Sequence, residues 1–170
     1  MLGLEKGRAR IVPYSPEWVQ LFEQEEKRLR DLVGEYVLDI QHVGSTSISG
    51  MPAKPILDIG ITIAQYEDGN NCIKPIESLG YKYRGEFGVA RRYYYVKGDP
   101  RTHHIHMLER DSKEWQRMIF FRDSLRKDKG IAQEYAELKR RLADQYQNDR
   151  EAYTEGKTGF IKDILDRAKG

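Results

Sequence analysis

Three short stretches of this chain carry residue types that do chemistry when they are brought together. The first is Gly44-Ser45-Thr46-Ser47, where a glycine lets backbone approach a ligand. Its hydroxyls and free backbone N–H groups are the parts of a phosphate cradle. The second is Asp58, set within Ile56-Leu57-Asp58-Ile59-Gly60-Ile61-Thr62-Ile63. Period-two alternation puts Leu57, Ile59, Ile61 and Ile63 on one face of a strand and leaves Asp58, Gly60 and Thr62 on the other. A carboxylate beside a phosphate loop suits a divalent ion, because Mg²⁺ takes one or two carboxylates and completes its shell with substrate phosphates. The plainer alternative is a strand-end aspartate bonded to a nearby lysine or backbone N–H.

The third stretch is His103-His104-Ile105-His106-Met107. Alternation sends Ile105 and Met107 one way and His104 and His106 the other. Two such imidazoles can bind a metal or contact a phosphate, or they can be a half-exposed surface pair. Lys54, just ahead of Asp58, and Arg92 and Arg101, leading into the histidines, can line a groove for an anionic substrate, whereas Arg91 and Lys97 suit a solvated sheet edge. Tyr93-Tyr94-Tyr95 reads as packing, with one ring available to stack on a base. Lys139-Arg140-Arg141, between Leu138 and Leu142, reads as a solvated helix face.

The elements that must position these residues follow from spacing. Ser15-Pro16-Glu17 opens a helix carrying Trp18, Leu21, Phe22, Leu29, Leu32 and Val33 until Gly34, with Ser15 as its cap. Tyr36 to Val43 and Ile56 to Ile63 read as strands on either side of the Gly/Ser/Pro loop. Asn70 or Asn71 caps a helix with Cys72, Ile73, Ile76 and Leu79, closed by Gly80. Tyr81 to Arg84, Arg91 to Lys97 and Thr102 to Leu108 then complete a sheet. From Asp111, as cap of a capping box, the period becomes helical: Trp115, Met118, Ile119 and Leu125, then Ile131, Tyr135, Leu138 and Leu142, then Tyr153, Phe160, Ile164, Leu165 and Ala168. The expected architecture is α/β, a mixed sheet with an N-terminal helix and a helical C-terminal third. It forms one domain over 1–170, with a sheet-containing core over about 14–110 and a helical part over about 111–168.

Composition bounds the partners. The 29 Lys+Arg and 27 Asp+Glu leave +2, so no overall field draws nucleic acid or an anionic membrane, and any anion site is local. One cysteine excludes an internal disulfide, and no apolar run reaches signal or membrane length, which suits the cytoplasm.

Several blocks in order carry a wider likeness: His42-Val43-Gly44-Ser45-Thr46-Ser47, Ala53-Lys54-Pro55-Ile56-Leu57-Asp58-Ile59, Arg101-Thr102-His103-His104-Ile105-His106, Phe121-Arg122-Asp123-Ser124-Leu125-Arg126, and Tyr153-Thr154 with Lys157 and Phe160-Ile161. From about Tyr14 to Leu165 the chain resembles the GrpB family. That family is similar to the nucleotidyltransferase superfamily and, in some bacteria, to a domain fused to dephospho-CoA kinase. The resemblance implies a nucleotidyltransferase-like fold, with Gly44, Ser45, Thr46 and Ser47 on a nucleotide's phosphates and Asp58 on Mg²⁺. Gly60 stands where the superfamily has a second carboxylate, which counts against two-metal transfer. If strand pairing brings His104 or His106 to Asp58, one of them replaces part of that ligation, with His106 the candidate metal ligand, or acts as a base. Two functions therefore stay open. One is Mg²⁺-dependent nucleotidyl or phosphoryl transfer using Asp58, His104 and His106, with Lys54, Arg92 and Arg101 on the substrate. The other is a non-catalytic module that binds a nucleotide or CoA-like molecule.

Overall fold

Two helical layers cover opposite faces of one sheet, and the strand parity read from the sequence decides which side chains each layer meets. The computed structural model describes residues 1–167, so Ala168 lies outside the described residues. The strands are β1 (Asp39–Val43), β2 (Leu57–Ile63), β3 (Tyr81–Tyr83), β4 (Tyr93–Lys97) and β5 (His103–Glu109). Their order in the sheet is β1-β2-β5-β4-β3, with β2 and β5 parallel and the other neighbours antiparallel. The α/β class and the mixed sheet are as expected.

On one face lie α1 (Glu17–Val33) and the single turn α2 (Ile73–Glu77), which pack Phe22, Leu29, Val33 and Ile76 against Ile59, Ile61, Ile63, Ile105 and Met107. On the other face α3 (Lys113–Lys127), α4 (Lys129–Gln145), α5 (Arg150–Gly156) and α6 (Thr158–Asp166) form the helical third. Their apolar residues close on the β1–β2 loop through Ile48, Met51, Leu125, Tyr135 and Ile164. Among the described residues no helix is long and apolar enough to cross a membrane.

Several boundaries move for local reasons. Ser15 Oγ accepts from the Glu17 N–H at 3.3 Å, but the helix begins after Pro16 and not at it. Ser112, not Asp111, caps α3 by accepting from the Trp115 N–H at 3.2 Å. The helix expected from Asn70 to Leu79 splits into a 3-10 segment, Tyr66–Asn71, and α2, with Cys72 buried at the junction. The last expected helix is two, because the chain turns between Gly156 and Thr158.

Candidate acid–imidazole site in a basic cleft

Parallel pairing of β2 with β5 sets Asp58 opposite His104 and Gly60 opposite His106. His104 Nδ1 lies 3.3 Å and His106 Nε2 3.0 Å from the same oxygen, Asp58 Oδ1. The juxtaposition expected from strand parity is therefore present. The Asp58 side chain is 29% exposed. Burial by itself raises a carboxyl pKa, but the hydrogen bonds and charge of His104 and His106 more than offset it, holding Asp58 far below the usual carboxylate range. Burial lowers the His104 pKa against the pull of Asp58, so the carboxylate is the charged partner of the pair.

The turn after β1 is built to sit beside that carboxylate. Gly44 has φ +73°, and a Cβ there would come within 2.7 Å of Asp58 Oδ2, so both its conformation and the space demand glycine. Ser45–Ser47 form one 3-10 turn. Its hydroxyls divide: Thr46 Oγ1 is buried against His42 Nε2 at 2.8 Å, and Ser47 donates to the Gly44 carbonyl. Ser45 makes no side-chain hydrogen bond among the described residues. From α3, Arg126 donates twice to the Ser47 carbonyl, and buried Arg122 donates to Gln41 Oε1 and the His42 carbonyl. Thr46 and Ser47, expected on the ligand, are spent on holding the turn.

The proposed substrate cations also separate. Arg92 is buried behind His106, where it reaches His106 Nδ1 at 3.2 Å, stacks on Tyr94 with its guanidinium carbon 4.4 Å from the ring centre, and donates to the Glu86 and Phe87 carbonyls. It lies outside the cleft's lining. Lys54, Arg101 and His104 do line a cleft of about 610 Å³, together with Tyr94, Arg150 and Thr154. Of the residues expected at the sheet edge, Arg91 pairs with Glu109 and Lys97 with Glu25.

Helices absent from the expected site supply further cations. Lys54 and Lys157 both lie over the Tyr153 ring, at 5.2 and 4.6 Å, and Lys139 lies 4.9 Å from the Tyr135 ring. Lys139 is 1% exposed, so its reading as part of a solvated face fails, while Arg140 and Arg141 are exposed as expected. Its position four residues after Tyr135 and three before Leu142 is an inner-face spacing that already signalled this. None of Lys54, Lys139, Lys157 and Arg150 forms an ion pair among the described residues. Burial, then Lys157 and Arg150, brings Lys54 down to about 7. Burial likewise brings Lys157 down to about 8, and burial with Lys157 and Lys54 pushes Lys139 well below the ordinary lysine value.

The position expected for a second carboxylate is closed. A Cβ on Gly60 would lie 2.6 Å from Trp115 Cζ3. Asp58, His104 and His106 offer donors within 4.8 Å of one another, so one carboxylate and two imidazoles are what this face presents.

Sheet and site together define an α/β protein with an acid–imidazole cluster whose His104 lines a basic cleft. A family model described as GrpB protein matches residues 8–167, and the chain belongs to the GrpB family. It is 39% identical over 165 residues to YqkA of Bacillus subtilis, covering 96% of this chain but only 48% of YqkA, so it spans about half of that relative's length. The crystal structure of conserved protein GrpB from Enterococcus faecalis superposes with a TM-score of 0.88 at 37% identity, covering 94% of this chain and 96% of the other. A dephospho-CoA kinase of Mycolicibacterium paratuberculosis is 24% identical over 191 residues, covering 97% of this chain and 47% of the kinase.

Proposed function

We propose that this protein binds a phosphate-bearing small molecule, such as a nucleotide or a CoA-like compound, in the cleft that His104 lines. One observation carries the reading: three half-buried cations, Lys54, Arg101 and Arg150, line the cleft with no ion pair among the described residues, and the carboxylate that also lines it, Asp99, is exposed. Gathering like charges away from water is unfavourable, and an anionic ligand removes that penalty. Lys54, Arg101 and Arg150 neutralise the phosphates, Ser45 and its turn approach them, and the Tyr94 ring offers a face to a base. The kinase name of the mycobacterial relative makes dephospho-CoA a reasonable probe.

A second reading, nucleotidyl or phosphoryl transfer, is favoured by Asp58 Oδ2, which both imidazoles leave free by sharing Oδ1. The residues fit one Mg²⁺ at most, held by Asp58 and ligand phosphates, because Trp115 fills the second carboxylate's place. A bound Mg²⁺ would neutralise charge on a transferring phosphoryl group.

The test is a thermal-shift series with inorganic pyrophosphate, nucleoside di- and triphosphates and dephospho-CoA, each with Mg²⁺ or with EDTA. Binding to the native state raises the midpoint by mass action. Stabilisation that persists in EDTA supports the first reading, and Mg²⁺-dependent product formation that Asp58→Ala abolishes supports the second. No shift with any of these compounds overturns both.

A further inference from the structure

We infer that the two histidines beside Asp58 have opposite tautomers and different work: His106 is locked by Arg92 as a donor that positions Asp58, and His104 keeps an open Nε2 facing the cleft. The warrant is a count of donors and acceptors. Arg92 Nη1 sits 3.2 Å from His106 Nδ1, and a guanidinium has N–H donors only, so Nδ1 must accept. The ring hydrogen then sits on Nε2, 3.0 Å from Asp58 Oδ1. Arg92 is itself fixed by the Glu86 and Phe87 carbonyls and by the Tyr94 ring, so it cannot turn away without losing those contacts.

His104 meets the same Oδ1 through Nδ1 at 3.3 Å, which places its hydrogen there. Its Nε2 has no hydrogen-bond partner among the described residues, and the ring lines the cleft beside Lys54 and Arg150. An unprotonated nitrogen accepts a hydrogen bond. On the reading of the cleft as a phosphate site, this specifies a ligand that brings a donor next to its anion: a hydroxyl near the phosphate, or a phosphate still carrying its own proton.

The same geometry keeps metals that favour imidazole off this three-donor cluster. Coordination through His106 Nε2 would move the ring hydrogen to Nδ1, against an Arg92 N–H. Metal-bound histidines normally turn their outer N–H toward an acceptor, and His106 faces a cation instead. His106 is therefore a positioning residue and not a ligand.

Tautomers are read directly by long-range ¹H–¹⁵N spectra of the ¹⁵N-histidine-labelled chain, free of metal and ligand, with His104→Gln and His106→Gln assigning the signals. The expected result is a hydrogen on Nε2 of His106 and on Nδ1 of His104; the reverse at either ring overturns the inference. Co²⁺ titration followed by visible absorption reads metal exclusion. Arg92→Leu, checked for folding, should bind Co²⁺ at least about tenfold more tightly than wild type, and Arg92→Lys, which keeps a donor, should resemble wild type. Equal affinity in wild type and Arg92→Leu, whether tight or absent, removes Arg92's role; if Arg92→Leu does not fold, the wild-type tautomers decide alone. Because both measurements omit phosphate compounds, a protein that binds none of them can still pass or fail here.

Discussion

Strand β5 supplies histidines to two carboxylates on opposite faces of the sheet, and the two settings differ in what is left over. On the α1 face, Glu25 is buried and surrounded: Tyr81 Oη donates at 2.9 Å, Lys97 Nζ at 3.2 Å, Arg28 pairs at 3.0 Å, and His103 Nε2 lies 4.0 Å away. Burial raises its pKa, but Lys97 and the Tyr81 hydrogen bond outweigh that, leaving a carboxylate whose neighbours answer it. On the other face Asp58 also has its donors, yet Lys54, Lys157 and Arg150, whose charges act on it, form no ion pair among the described residues, and a cleft opens at His104. A closed charge set holds elements together, whereas an unclosed one beside a cavity is where the proposed ligand would sit.

Substitutions should separate the two. The largest stability change is expected on the closed side: Glu25→Gln weakens the bonds from Tyr81, Lys97 and Arg28 and should cost about 2 kcal/mol, read as a lower urea midpoint, with phosphate binding unchanged. On the open side the sign reverses. Lys54→Met removes a cleft lysine whose charged form burial disfavours and keeps the apolar stem, so the ligand-free protein should gain about 1 kcal/mol while binding of pyrophosphate weakens. A loss of stability would mean that Lys54 is answered by the fold itself.

The smallest effect is with pH. Lys54 and Lys157 have folded pKa values of about 7 and about 8, below the ordinary value of 10.5, so between these limits the unfolded chain binds more protons than the native one. Stability of the ligand-free protein should therefore rise, so far as these groups set it, from about pH 7 toward pH 10, their penalty being complete below pH 7. Pyrophosphate affinity should fall over the same range, since it needs both ammonium groups charged. Parallel trends in stability and affinity would contradict the account.

What could be read in the chain was what periodicity controls. Alternation placed Asp58, His104 and His106 on one face, and the parallel pairing of β2 with β5 did the rest. Hydroxyl chemistry was less legible, because Thr46 and Ser47 are claimed by His42 and the Gly44 carbonyl, contacts that residue type does not reveal. Arg92 pointed at the right neighbourhood but stands behind a histidine rather than in the cleft. Arg150 carries no local signal for the cleft, because α5 reaches it through helix packing, a tertiary event. Lys139 shows the opposite case: its spacing from Tyr135 and Leu142 marks an inner face, while the adjoining Arg140 and Arg141 make it look like part of a solvated charge run.

Calorimetric titration of wild type and Lys54→Met with inorganic pyrophosphate in EDTA at pH 7 decides whether the cleft is a phosphate site. Wild type should show saturable one-to-one binding and the variant an affinity at least about tenfold weaker, a difference of about 1.4 kcal/mol. No binding to wild type, or equal affinity in both, would contradict that reading of the cleft.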